Sequence, residues 1–148
     1  MKTLVLILAS LVIGVLTCNG QTTNKSSKSS TKVSVSVSGD TEEGSFYRSF
    51  AIMDMDENFR IKVRYMRYME NDVKTYLIDE FGKENLTIKE GTYYWTKKTE
   101  GEVLYEVRLK GNKLRINVDK ELASDKLIKR FEKIGKELKT ITGRSEKI

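Results

Sequence analysis

Between Val33 and Ser38 the chain alternates strictly, valines at 33, 35 and 37 separated by serines, a period of two that predicts a strand with one buried face. Gly39 to Gly44 reads as a turn, Phe46 to Met53 as a second strand rich in aromatic and apolar residues, and Asp54-Met55-Asp56-Glu57-Asn58 as a polar reversal. Phe59, Ile61, Val63 and Tyr65 then alternate with Arg60, Lys62 and Arg64, which gives a third strand with one charged face. At Asn71 the period changes. With Asn71 as N-cap, Val73, Tyr76, Leu77 and Phe81 fall at helical spacing over about Asp72 to Phe81, and Gly82 is placed to end the helix in a left-handed conformation.

Leu86 to Thr96 returns to extended character, with Tyr93 and Trp95 on one face and Tyr94 on the other. Glu100-Gly101 and Gly111-Asn112 are turn signals. Around them Val103, Tyr105, Val107 and Leu109, then Leu114, Ile116 and Val118, alternate with polar partners, completing a meander of three strands. Ser124 caps a final helix on which Leu127, Ile128, Phe131, Ile134, Leu138 and Ile141 form one apolar stripe. The order β-β-β-α-β-β-β-α predicts an α+β fold, an antiparallel sheet of about six strands with two helices packed on one face, in a single domain over residues 33–148. If the helices cover the side bearing Phe59, Ile61, Val63, Val103, Tyr105, Val107, Leu114 and Ile116, alternation sends Arg60, Lys62, Arg64, Leu104, Glu106, Arg108, Lys113 and Arg115 to the other. No third helix is left to cover that side. Its candidate binding residues are Arg60, Lys62, Arg64, Arg108 and Arg115, with Tyr94 and Leu104 as apolar anchors.

The N-terminus has a different character. Lys2 precedes an uncharged apolar or small run from Leu4 to Leu16, 13 residues long, the size of a signal-peptide core and too short to span a bilayer as a helix. Val15-Leu16-Thr17-Cys18-Asn19-Gly20-Gln21 comes next and resembles the lipobox of bacterial lipoproteins, with a cast most like those of the Flavobacteria and their Bacteroidetes relatives. Thr17 stands where Ser, Ala or Gly is usual in that motif. The resemblance implies that residues 1–17 are removed, that Cys18 becomes the lipidated first residue of the mature protein, and that the protein sits on the periplasmic face of a membrane. It implies location and no activity. Cleavage before Gln21 to give a secreted, unanchored chain is the alternative. Residues 19 to 32 hold nothing to bury, so 18–32 is expected to act as a flexible Ser/Thr/Lys tether of about 20 Å r.m.s. reach.

Composition narrows the chemistry. Histidine is absent, and with it the commonest general base and metal ligand; Cys18 is the only cysteine. No metal, cofactor or catalytic residue is expected. The acidic reversal at Asp54 opens like a calcium loop, D-x-D-x-N, but Phe59 and Tyr65 occupy the places where such a loop needs Gly and Glu. The chain's net charge of +6 is concentrated early: Lys2, Lys25, Lys28 and Lys32 precede Val33, leaving 23 basic against 21 acidic residues in the domain. That balance, in an exported chain, argues against nucleic acid as the partner. The C-terminal stretch that carries the last helix is locally basic, with eight cations against four acids from Asp125 to Ile148.

The sequence thus points to a non-enzymatic, lipid-anchored envelope protein. It would meet the membrane through Cys18 and bind or support another envelope component, either a protein or an anionic ligand. A secreted or periplasmic inhibitor or immunity-type protein is the alternative, and a small hydrolase working on two carboxylates a remote one. Oligomeric state is left open.

Overall fold

A computed structural model describes residues 32–40 and 46–144. The signal segment, Cys18, the tether up to residue 31 and the centre of the turn after Gly39 lie outside the described residues. Seven strands run as β1 (Lys32–Asp40), β2 (Phe46–Asp54), β3 (Asn58–Arg64), β4 (Leu86–Lys89), β5 (Thr92–Thr99), β6 (Glu102–Lys110) and β7 (Lys113–Asp119). A short 3₁₀ turn, Arg67–Met69, leads into helix α1 (Glu70–Phe81), and helix α2 (Asp125–Ile141) comes after β7. The fold is α+β, one fully antiparallel sheet in the order β1-β2-β3-β7-β6-β5-β4. After β3 the chain crosses through α1 to the far edge at β4. It then returns strand by strand until β7 closes against β3, about fifty residues away in sequence.

One strand more is present than the periodicity predicts, because the stretch from Leu86 to Thr96 is broken at Glu90-Gly91. Both residues take positive φ, +50° and +70°, as do Glu100 (+53°) and Gly101 (+88°) at the next reversal. Two consecutive residues of that hand make the tight turn whose twist matches the flanking strands. The same Glu-Gly pair makes both reversals, so the first carries the same sequence signal as the second.

Both helices pack on one side of the sheet. Val73, Leu77 and Phe81 of α1 and Phe131, Ile134 and Leu138 of α2 are buried against Phe59, Ile61, Val63, Val107, Ile116 and Trp95. Phe131 lies 5.9 Å from Phe81 and meets Tyr105 edge-on at 5.2 Å, a ring cluster that ties α2 to α1 and β6. Trp95 is fully buried and donates its indole N–H to the Gly82 carbonyl at 3.0 Å, fastening β5 to the end of α1. At Gly135 a Cβ would come within 3.0 Å of Ile52, so the missing side chain sets how closely α2 approaches the sheet.

Several local expectations are corrected. Helix α1 starts at Glu70, and Asn71 lies inside it: Met69, buried and already helical, carries the 3₁₀ turn straight into the helix without a side-chain cap. Val103, expected inside, is 44% exposed, and Leu104, expected on the open face, is 7% exposed. The cause is a register shift, in which Lys97 pairs with Tyr105 but Lys98 with Val103, so Leu104 is an extra residue in β6 and the alternation slips past it. Helix α1 ends at Gly82 as expected, but with φ +83° and ψ 145°, outside the left-handed helical region; β1 takes in Lys32 from the expected tether and Gly39 and Asp40 from the expected turn; and the Ser124 cap holds, its hydroxyl accepting from the Leu127 amide at 3.3 Å.

Candidate functional site

The face of the sheet away from the helices is built by strand alternation. Residues 60, 62 and 64 of β3 stand opposite 117, 115 and 113 of β7, which in turn oppose 106, 108 and 110 of β6. One row across the sheet therefore reads Lys62, Arg115, Arg108, and the next reads Arg64, Lys113, Lys110. All six side chains are exposed. They line a shallow groove of about 470 Å³ whose lining, among the described residues, includes no carboxylate.

Like charges directly opposite on neighbouring strands destabilise a sheet, by roughly 0.2–1 kcal/mol per pair. Four such pairs meet here: Lys62 with Arg115, Arg115 with Arg108, Arg64 with Lys113, and Lys113 with Lys110.

The next row is mixed. Arg60 donates from Nε to the Asn117 amide oxygen at 3.1 Å and is half-buried. Glu106 approaches Arg108 at 3.4 Å, and the same guanidinium lies 5.1 Å over the Tyr94 ring. Arg108, which lines the cationic groove, thus contacts Glu106 and Tyr94, which both line a second depression of about 350 Å³. That depression is lined by Thr87, Lys89, Tyr94, Thr96 and Glu106.

Of the residues the sequence nominated, the structure brings Arg60, Lys62, Arg64, Tyr94, Arg108 and Arg115 onto one face. Leu104, buried beside its bulge, offers almost no surface there. Lys110 and Lys113 are not among the candidate binding residues the sequence nominates, although both line the groove. The signal was present, because the two-residue loop Gly111-Asn112 forces the lysines on either side of it into register.

Elsewhere, the acidic reversal after β2 is occupied by a lysine: Lys120 Nζ lies 2.8 Å from the Asp54 carboxylate and donates at 2.8 Å to the Met55 carbonyl. Among the described residues, no three acidic or cysteine side chains gather as a metal site. Arg48, on the helix side of β2, was not singled out by sequence. It is 9% exposed, lies 5.7 Å over Phe50, and sits beside Gly143 at the end of α2, where a cation complements the helix dipole. Burial holds its pKa below the ordinary arginine value. Among the described residues no helix is long and apolar enough to cross a membrane.

Compared with family models, with curated proteins and with solved structures, the chain matches none.

Proposed function

We propose that this is an exported, lipid-anchored protein of the bacterial envelope, not an enzyme, whose open sheet face binds an anionic envelope component. The observation that supports the binding reading is the register of Lys62, Arg115 and Arg108 beside Arg64, Lys113 and Lys110. Like charges stand opposite one another in both rows, with Glu106 partly offsetting Arg108, and an anion laid across the rows reduces the repulsion that is left. The domain's near-neutral balance of 23 basic and 21 acidic residues makes the concentration local to this face rather than a consequence of general basicity. Export and anchoring rest on the apolar run from Leu4 to Leu16 and on Cys18 at its end. With a lipidated Cys18 and a tether of about 20 Å, the groove would work within the envelope layer next to its membrane.

The test is recovery of partners from solubilised envelope by the wild-type protein and by an Arg60→Glu, Arg64→Glu, Arg108→Glu variant of unchanged melting temperature. The variant should lose most of what the wild type recovers. Equal recovery of the same material would leave the face a solvated surface and move the search to the basic face of α2.

A further inference from the structure

We infer that the occupant of the open face is an acidic polysaccharide, a chain of hydroxylated sugar rings carrying repeated anionic groups. This rests on the reading of that face as a binding surface and goes on to name what it binds.

Spacing sets the first constraint. Neighbouring strands lie about 4.8 Å apart and alternate residues along a strand about 7 Å, so the six cations fill a field of about 10 Å by 7 Å. A small ion reaches two or three of the cations, whereas successive charges along a polymer engage both rows. The groove volume of about 470 Å³ also suits a segment of several units better than a single ion.

The surroundings of the groove narrow the polymer. Across Arg108 the track continues into the depression lined by Thr87, Lys89, Tyr94, Thr96 and Glu106, which offers three hydroxyls, one further cation and a carboxylate that Arg108 approaches from the other side. Sugar hydroxyls donate to a carboxylate, while a phosphate or a second carboxylate is repelled by it. A track that carries six cations at one end and a single lysine among three hydroxyls at the other is complementary to a glycan whose anionic groups are spaced by hydroxylated sugars. It is a poor match to a uniformly charged strand such as polyphosphate.

A bilayer surface fits less well. Interfacial docking sets cations around protruding apolar side chains, and the large exposed hydrophobics among the described residues, Val33, Tyr68, Ile88 and Val103, all lie outside the groove.

The experiment uses the chain from residue 18 onward with Cys18→Ser, so that no acyl chain contributes, and four probes at equal total anionic charge: hyaluronan oligosaccharides and partly methyl-esterified oligogalacturonate, in which neutral sugars separate the carboxylates, inorganic polyphosphate, and phosphatidylglycerol vesicles. At least one of the two acidic glycans should bind at least about tenfold more tightly than polyphosphate at equal salt. Arg108→Gln with Arg115→Gln should weaken the soluble polyanions and lower the salt slope by about two. Tyr94→Ala and Glu106→Gln should weaken the glycan severalfold and leave polyphosphate unchanged or tighter. Equal or tighter binding of polyphosphate, with Tyr94→Ala and Glu106→Gln silent, would overturn the inference in favour of simple charge attraction. Binding to vesicles alone would overturn it in favour of the membrane. If neither glycan binds while the envelope recovery experiment still separates wild type from its triple variant, the polysaccharide is wrong and the binding face stands.

Discussion

Arg115 of β7 stands directly opposite Arg108 of β6, with Lys62 on its other flank in β3, so the most central of the open-face cations has a like charge on each side. Replacing it should therefore strengthen the fold. Arg115→Thr, which keeps a strand-favouring residue, is expected to raise stability by about 0.2–1 kcal/mol, read as an upward shift of the urea midpoint with unchanged slope, while recovery of envelope partners falls. A less stable protein with full recovery would show that the register is a packing feature and not a site.

The slip of alternation at Leu104 gives a contrast between neighbours. Leu104→Ala should cost about 2–4 kcal/mol, and Val103→Ala should stay within about 0.5 kcal/mol. The opposite order in equilibrium unfolding would mean that β6 keeps the uninterrupted alternation its sequence suggests. Phe131→Ala, which removes a ring in contact with both Phe81 and Tyr105, is expected to cost about 3–5 kcal/mol.

Those neighbours also show where the sequence is legible. Strands β2, β3 and β7, the stripe on α2 and the caps at Gly82 and Ser124 come from local periodicity, because each is decided by residues within a turn or two. The cationic alternation of Arg60, Lys62 and Arg64 is local in the same way. Its partnership with Lys113 and Arg115 is not: it exists because β7 returns to close the sheet against β3, and nothing within either strand fixes that neighbour. The face consequently looks mixed along the chain, where Glu106 sits beside Leu104 and Arg108, and becomes cationic only in cross-strand rows. The bulge at Leu104 is likewise settled by sheet pairing rather than by the residues themselves, whereas the strand break at Glu90-Gly91 carries the same Glu-Gly signal as the turn at Glu100-Gly101.

Stability should depend on pH in one direction only above neutrality. Burial raises the hydroxyl pKa of Tyr65, Tyr76 and Tyr105, with Glu70 adding to it at Tyr65 and Glu137 and Glu80 at Tyr76. The Tyr65 hydroxyl also donates to the Gly111 carbonyl at 3.1 Å, a bond the phenolate cannot make. A group whose folded pKa exceeds its unfolded value stabilises fully below the unfolded pKa and loses that effect as pH rises towards the folded one. With no histidine in the chain, the urea midpoint is expected to hold level from about pH 6 to 9 and to fall above about pH 10. A marked change between pH 6 and 8 would contradict this.

The anchor has its own test. Cys18→Ser, or treatment with globomycin, should leave precursor in the cell or release protein from the membrane fraction, with a loss of membrane association too large for a one-chain anchor. A soluble mature protein beginning at Gln21 would show ordinary secretion, and the groove would then act away from the membrane.

The central claim is that the open sheet face, and not the basic helix α2, meets the envelope component. Photo-crosslinking in living cells tests it most directly, with benzoylphenylalanine placed at Tyr94, beside Arg108 on the open face, or at Lys129, exposed on α2. Irradiation is expected to give adducts of higher mass from position 94, lost when Arg64→Glu and Arg108→Glu are added, and none from position 129. Adducts from position 129 with none from position 94 would contradict the account.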